Sequence, residues 1–415
     1  MKIAIIGSGI SGLTAGYLLN RNHDISIYEA NDYIGGHTHT HHIDLDNNNY
    51  AVDTGFIVYN ERTYPNFIKL LDQLGVERQL STMGFSVKSL NEDYEYSGES
   101  LNTLFAKRSN IFRVGFLRML YEMYKFGKEA DASGAGLDSS ITLGQYLKSK
   151  NYSKEFIHYF ITPMGAAIWS TPANKVLDMP AYFFIKFFYN HGMLEIVNRP
   201  KWWVIKNGSS QYIKKIIKGF ENKIHLSSAV VKVSRSKEGV EIFLSNDNEK
   251  LKFDAVIFAT HSDQALKLLE RPTELESEIL QAFPYQKNDV MLHTDSSVLP
   301  TRKLAWASWN YQLDRDPSAP VVLTYNMNIL QSIKAKETFC VTLNDLNSVD
   351  QNKIIKKITY HHPLFTVDSI KAQKRKHEIS GVNNTYYCGA YWRNGFHEDG
   401  VVSALDVCEQ FGEVL

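Results

Sequence analysis

Four histidines fall within eight residues at Gly35–His42, GGHTHTHH. On an extended strand alternate residues share a face. His37, His39 and His41 would then line one side, with Thr38, Thr40 and His42 on the other. Imidazoles in that arrangement are candidate zinc or copper ligands. The plainer reading is a strand whose histidines are satisfied or face solvent. A second group precedes them. Gly7, Gly9 and Gly12 form GxGxxG, and Glu29 follows about 20 residues later. Glycines so spaced suit a tight turn, close approach of backbone to a pyrophosphate, and close helix–strand packing. The acid suits ribose hydroxyls.

Both groups need elements to place them. Lys2 to Ile6 is an apolar run that reads as a buried parallel strand, and Leu13, Ala15, Leu18 and Leu19 follow on a helix. DISIYE is the second strand, ending at Glu29. Strand, glycines, helix, strand and acid in register form a βαβ dinucleotide unit with Ser11 in its helix turn.

The continuation resembles the flavin-containing amine oxidase superfamily, which includes protoporphyrinogen oxidases and phytoene desaturases. The matching residues are Glu29, then Gly35, Gly36 and Thr38, then Asp53 and Gly55. His37 stands where most relatives have arginine. GGH is similar to a bacterial subgroup described as NAD/FAD-binding or amine-oxidase-like proteins. The resemblance implies non-covalent FAD, with Gly35 and Gly36 against the cofactor, His37 near phosphate, and no metal site.

Further stretches carry the same resemblance. KIHLSSAVVKVSRSKEGVEIFLSNDNEKLKFDAVIFAT alternates like strands, with turns at EG and at 246–248. It implies that Val230 meets adenine and that Ala259 and Thr260 end a return strand at the cofactor. Asn207 replaces a glycine at the turn opening this segment, and asparagine tolerates positive φ. At the C-terminus a strand ends at Gly389 and a helix is expected near Gly400. Gly389, His397, Glu398, Asp399 and Gly400 would lie close to the flavin. Ala390 and Tyr391 replace an acid that relatives place after the strand glycine.

FAD segments at the start, middle and end imply a fold in three pieces. The expectation is a Rossmann-like α/β FAD domain at 1–60, 200–285 and 373–415. A mixed α/β substrate domain is inserted at 61–199 and 286–372. TYPNFIKLLDQLGV and SITLGQYLKSK read as helices, and APVVLTYNMNIL as strand.

Small and aromatic residues around Trp169, Trp306 and Trp309, and five Phe and Tyr side chains before His191, suit a flat or long apolar ligand. The catalytic group is open: His397, Glu398 and Trp169 are the candidates near the flavin. The lysine of amine oxidases aligns with Val290, with Lys287 close but out of register. KRSNIFRVGFLRMLYEMYKFGK mixes basic and apolar residues, so it reads as a half-buried helix or as one touching a membrane or an acyl-carrying partner.

Bulk properties narrow the classes. The 415 residues carry 45 basic and 45 acidic side chains, and no basic run favours nucleic acid. Three scattered cysteines suit a reducing, cytoplasmic setting, with membrane association as an addition. The expected function is FAD-dependent removal of a hydride from carbon of an apolar lipid or fatty-acyl substrate, with dehydrogenation or double-bond isomerisation as outcome. The alternatives are amine oxidation and a non-catalytic flavin-binding or redox-relay protein. No second GxGxxG follows a strand, so NAD(P)H has no evident site.

Overall fold

The structure is a computed structural model that describes residues 1–130, 137–138, 140–195, 199–245, 250–313, 316–345 and 347–415. The turn expected at 246–248 lies outside them. At the centre of one half is a five-stranded parallel sheet. Its strands run in the order Ile224–His225, Asp24–Tyr28, Lys2–Ile6, Ala255–Phe258 and Thr385–Tyr387. In chain sequence that order is 3-2-1-4-5, the doubly wound arrangement. Strands far apart in the chain therefore share one sheet.

The central strand is apolar throughout because both its faces are covered. Ile3 and Ile5 enter a core with Leu13, Leu18, Val401 and Ala404 from helices Ile10–Leu19 and His397–Cys408. Ala4 and Ile6 face the other way, into a core with Val233, Ile242 and Phe258. That second face is closed by the antiparallel strands Val230–Ser236, Gly239–Leu244 and Lys250–Phe253.

The other half holds a seven-stranded sheet ordered Ile354–Pro363, Tyr285–His293, Cys340–Leu343, Leu323–Asn326, Trp309–Gln312, Phe85–Lys88 and Glu95–Ser97. Its neighbours are antiparallel except Trp309–Gln312 with Phe85–Lys88. Helices Val114–Ala130, Leu143–Ser149, Thr162–Trp169 and Ala181–Asn190 build an aromatic core against it, including Phe126, Phe156, Phe184 and Phe188. Among the described residues no helix is long and apolar enough to cross a membrane.

Some boundaries differ from the sequence reading. The C-terminal helix begins at His397, not near Gly400, because Asp399 accepts a hydrogen bond from Phe396 N (2.9 Å) and caps the first turn. The strand reading of APVVLTYNMNIL ends at Asn326, whose side chain accepts from Ile329 N and starts a short helix. Asn207 adopts φ +64°, followed by Gly208 at +93°.

Candidate active site

A cavity of about 750 Å³ runs from the glycine turn of the parallel sheet to the aromatic core. At its first end the helix Ile10–Leu19 begins at Gly9 with no side-chain cap and no acid in its first turn. Such a terminus leaves backbone N–H groups for an anion. A Cβ on Gly9 would meet nothing within 4 Å, so the space beyond it is open. Gly12 is the crowded position, where a Cβ would lie 2.0 Å from Gly7 O. Gly12 is therefore held by the protein's own packing, whereas any crowding at Gly9 would come from a ligand.

Glu29 stands beside this turn, 7% exposed. Its carboxylate accepts from Ser8 N (3.0 Å), Ser8 Oγ (2.7 Å), Asn31 N and Asn31 Nδ2 (both 2.9 Å). Gly35 and Gly36 take φ +123° and +58°, which L side chains rarely adopt. Open space beyond Gly9, an uncapped helix start and a held carboxylate fit a dinucleotide.

Gly7, Gly9, Ser11, Glu29, Gly35, Gly36, His37, Gly55, Val230, Ala259, Gly389, His397 and Trp169 all line the cavity. Gly12, Thr38, Asp53, Glu398, Asp399 and Gly400 do not. Gly12 packs on Gly7 O. Thr38 Oγ1 bonds His397 Nε2 (2.9 Å) and Tyr212 OH (2.6 Å). Asp53 accepts from Ser209 N (3.0 Å), Ser209 Oγ (2.8 Å) and Gln331 Nε2 (2.8 Å), and burial lifts its carboxyl to about 6. Glu398 accepts from Asn66 N (3.1 Å), Asn66 Nδ2 (2.7 Å) and Phe67 N (2.8 Å), tying down the helix Pro65–Gln73. Asp399 faces Phe396 N, and burial raises it to about 7. A Cβ on Gly400 would lie 2.7 Å from Ile10, and Ser11 Oγ donates to Gly400 O (2.9 Å). These residues position the wall instead of forming it.

The histidine run splits. His37 lines the cavity with Nε2 unpartnered, and its ring lies near Tyr360 (5.0 Å), His362 (5.4 Å) and His261 (6.2 Å). Desolvation holds His37 down to about 4, and His261 and His362 down to about 3. His39 stacks on Tyr33 (4.2 Å), and His42 Nδ1 lies 3.1 Å from Asn49 Oδ1. Among the described residues no three His, Cys, Asp or Glu side chains are grouped to hold a metal.

The far end is apolar. Trp169 donates from Nε1 to Asn394 O (3.2 Å), just before His397. Phe187 stacks on Phe396 (5.2 Å), and Met193, Trp309 and Phe365 complete the wall. His397 stacks on Phe56 at 3.5 Å. Lys287 is exposed and pairs with Asp289 (3.2 Å), and Val290 is buried in the sheet core. Trp306 is turned to Pro300 O (2.8 Å) and does not line the cavity.

The sequence reading missed His191. It ends the helix Ala181–Asn190, is 7% exposed and lines the cavity. Its Nδ1 lies 2.9 Å from Phe187 O. A carbonyl only accepts, so the hydrogen-bond network assigns the proton to Nδ1. Nε2 then keeps its lone pair, with no partner among the described residues. Burial pushes this imidazole down to about 4. Its place after an aromatic helix was the one available signal.

The model of the family described as flavin containing amine oxidoreductase matches residues 10–410. Zeta-carotene desaturase of Arabidopsis thaliana is 30% identical over 94 residues, which is 22% of this chain and 16% of that protein. Coproporphyrinogen III oxidase of Staphylococcus aureus is 25% identical over 193 residues, 44% of this chain and 39% of that one. The chain thus matches less than two-thirds of either relative's length. The crystal structure of the CLA-producing fatty acid isomerase from P. acnes superposes with a TM-score of 0.72 at 17% identity, over 99% of this chain and 98% of that one, and so shares the fold. With a family match from residue 10 to residue 410, the chain belongs to the flavin containing amine oxidoreductase family and is an FAD-dependent oxidoreductase.

Proposed function

We propose that this enzyme removes a hydride from carbon of a long apolar substrate, a lipid or fatty-acyl chain. The carrying observation is the cavity lining. Among the described residues Glu29 is the sole carboxylate lining it, at the dinucleotide end, while the far end is aromatic and aliphatic. A substrate ammonium would have no counter-charge there. A hydrocarbon would replace water against Trp169, Phe187, Met193 and Trp309, gaining about 25 cal/mol per Å² buried. The relatives named for carotene and fatty acid chemistry lend support. This reading assigns substrate binding to 61–199 and 286–372, which supply those four side chains.

In this reading Gly7, Gly9, Ser11, Glu29, Gly35, Gly36, Gly55, Val230, Ala259 and Gly389 hold the cofactor, with His37 beside it. Bound FAD supplies hydride acceptance. The chain's own part is to hold the substrate still, exclude water and handle the proton. As the hydride leaves one carbon, positive charge develops there and acidifies the C–H of its neighbour. That C–H pair becomes the new C=C bond, and the proton passes to His191 Nε2. A base held near 4 suffices for so acidified a proton and stays unprotonated at neutral pH. In isomerisation the hydride and the proton both return to the substrate with the double bond displaced, and no outside acceptor is needed.

The test is anaerobic titration of the holoprotein with a panel of long-chain fatty acids, their esters and aliphatic amines, following flavin absorbance. Bleaching or product formation with the lipid arm is expected. Bleaching by amines alone would overturn the reading in favour of amine oxidation.

A further inference from the structure

The surface around Leu101–Lys128 is unlike the rest of the molecule. Phe112 is 86% exposed, Val114 81%, Leu101 76% and Tyr121 66%, and Ile111, Leu117 and Tyr124 are also exposed. On the helix Val114–Ala130, residues 114, 117, 121 and 124 follow at steps of three and four and so form one stripe. The opposite face is already used, since Phe116, Met119 and Phe126 are buried in the aromatic core. The helix is therefore apolar on two sides, and only one side has a partner among the described residues.

The segment carrying the stripe is basic, with part of its charge paired: Lys107 with Asp93, Arg118 with Glu122 (3.2 Å) and Lys125 with Glu129 (3.8 Å). Between Leu101 and Lys128 the chain has six basic residues and a single acid, Glu122. That acid is turned inward, accepting from Ser153 N (3.1 Å). Among the described residues Arg108 hydrogen-bonds Asn102 and Phe105, and Arg113 lies over the Tyr94 ring. Lys128 lies over the Tyr124 ring. Arg108, Arg113 and Lys128 have no carboxylate partner among the described residues, and in a chain whose total charge is zero they leave an excess of positive charge beside the apolar stripe. Protruding Phe, Leu and Val, flanking Tyr and surrounding Arg and Lys are the composition of a surface that sits at a lipid interface.

We propose that the surface formed by Leu101, Ile111, Phe112, Val114, Leu117, Tyr121 and Tyr124 docks on a bilayer containing anionic phospholipid. The apolar side chains enter the headgroup region, and Arg108, Arg113 and Lys128 meet lipid phosphate. The docking helix is one layer from the cavity. Its Gly127 packs against Leu194, next to Met193 in the cavity wall. A patch of this size left in water invites association, and the positive rim selects an anionic sheet over a second positively rimmed copy. The proposal stands whichever substrate the enzyme uses.

The test is co-sedimentation of full-length holoprotein with vesicles of phosphatidylcholine, alone or mixed with one-third phosphatidylglycerol. Binding to the mixed vesicles is expected, weakened by high salt and weaker on phosphatidylcholine alone. The variant Phe112→Ser/Val114→Ser/Leu117→Ser should lower the partition coefficient about tenfold or more, since each removed side chain forfeits its burial. These side chains lie outside the core, so flavin content and melting temperature should stay as in wild type. The charge variant Arg108→Glu/Arg113→Glu should lose the preference for anionic vesicles. The proposal is overturned if wild type stays in the supernatant with both vesicle types, or if the triple variant binds as wild type does. It is equally overturned if wild type is an oligomer that the triple variant converts to monomer, which would make the patch a contact between copies.

Discussion

Substituting Gly9 and Gly12 separately should break two different things. At Gly12 an added Cβ would lie 2.0 Å from Gly7 O, 1.4 Å short of the 3.4 Å at which ordinary contact begins. The obstacle is backbone at the base of the turn and cannot swing away. Gly12→Ala should destabilise the folded protein by about 1–3 kcal/mol or more, as overpacking does. Gly9 has φ −69° and ψ 179°, extended backbone open to any residue, and its Cβ would meet nothing. Gly9→Ala should leave apoprotein stability within about 0.5 kcal/mol of wild type. Its methyl group would, however, stand in front of the uncapped helix start. Forcing a diphosphate away from one N–H there forfeits a charge-assisted hydrogen bond of about 1.5–3 kcal/mol. FAD affinity should then fall about 10- to 150-fold. Calorimetric melting of the apoproteins and FAD fluorescence titration read the two effects separately. Wild-type FAD affinity in Gly9→Ala, or an apoprotein melting loss as large as that of Gly12→Ala, would refute the reasoning.

His191→Phe should change the pH dependence of stability. The folded imidazole is held near 4 and the unfolded one titrates near 6.5, so between those values only the unfolded state takes the proton. Stability is therefore lost as pH falls through that window, by about 1.4 kcal/mol per pH unit. The variant should show about one proton less in the slope of unfolding free energy between pH 6.5 and 4.5, and no change in slope above pH 7; denaturant titrations at several pH values measure this. Arg235→Ala should cost about 3–5 kcal/mol, because Arg235 and Glu276 form a buried pair (Nη2–Oε2 2.9 Å) and the carboxylate would be left uncompensated; thermal melting checks it. NADH and NADPH should fail to bleach the flavin in an oxygen-free stopped-flow experiment, and rapid reduction by either would place a nicotinamide site in the chain after all. Elemental analysis should find no stoichiometric zinc or copper, whereas metal lost in a His39→Ala/His41→Ala variant would make the histidine strand a metal site.

Local pattern carried the parallel core because its signals are short-range. A buried strand, three glycines, a helix and an acid lie within Lys2–Glu29, and each constrains its near neighbours. The alternation in Val230–Leu244 and the tolerance of Asn207 for positive φ were readable for the same reason. The apolar and basic mixture at 107–128 was also visible, but not which of its faces had a partner. That depends on the aromatic core built from residues up to 370.

What the sequence by itself determined is which backbone turn, which glycines and which acid come together at one end of the cavity. What only the tertiary structure decided is where the remaining polar groups point. Glu398 and Asp399 sit one and two residues beyond His397, yet only His397 reaches the cavity. Glu398 is claimed by Asn66 and Phe67, more than 330 positions away, and Asp399 by its own helix cap. His191 gains its exposed lone pair because one backbone carbonyl takes its other nitrogen. A carboxylate or imidazole turns toward whichever donor or acceptor packing brings within about 3 Å. Partners that distant along the chain leave no periodicity to read, so residue type and spacing set which groups are available, and packing sets which of them face the substrate.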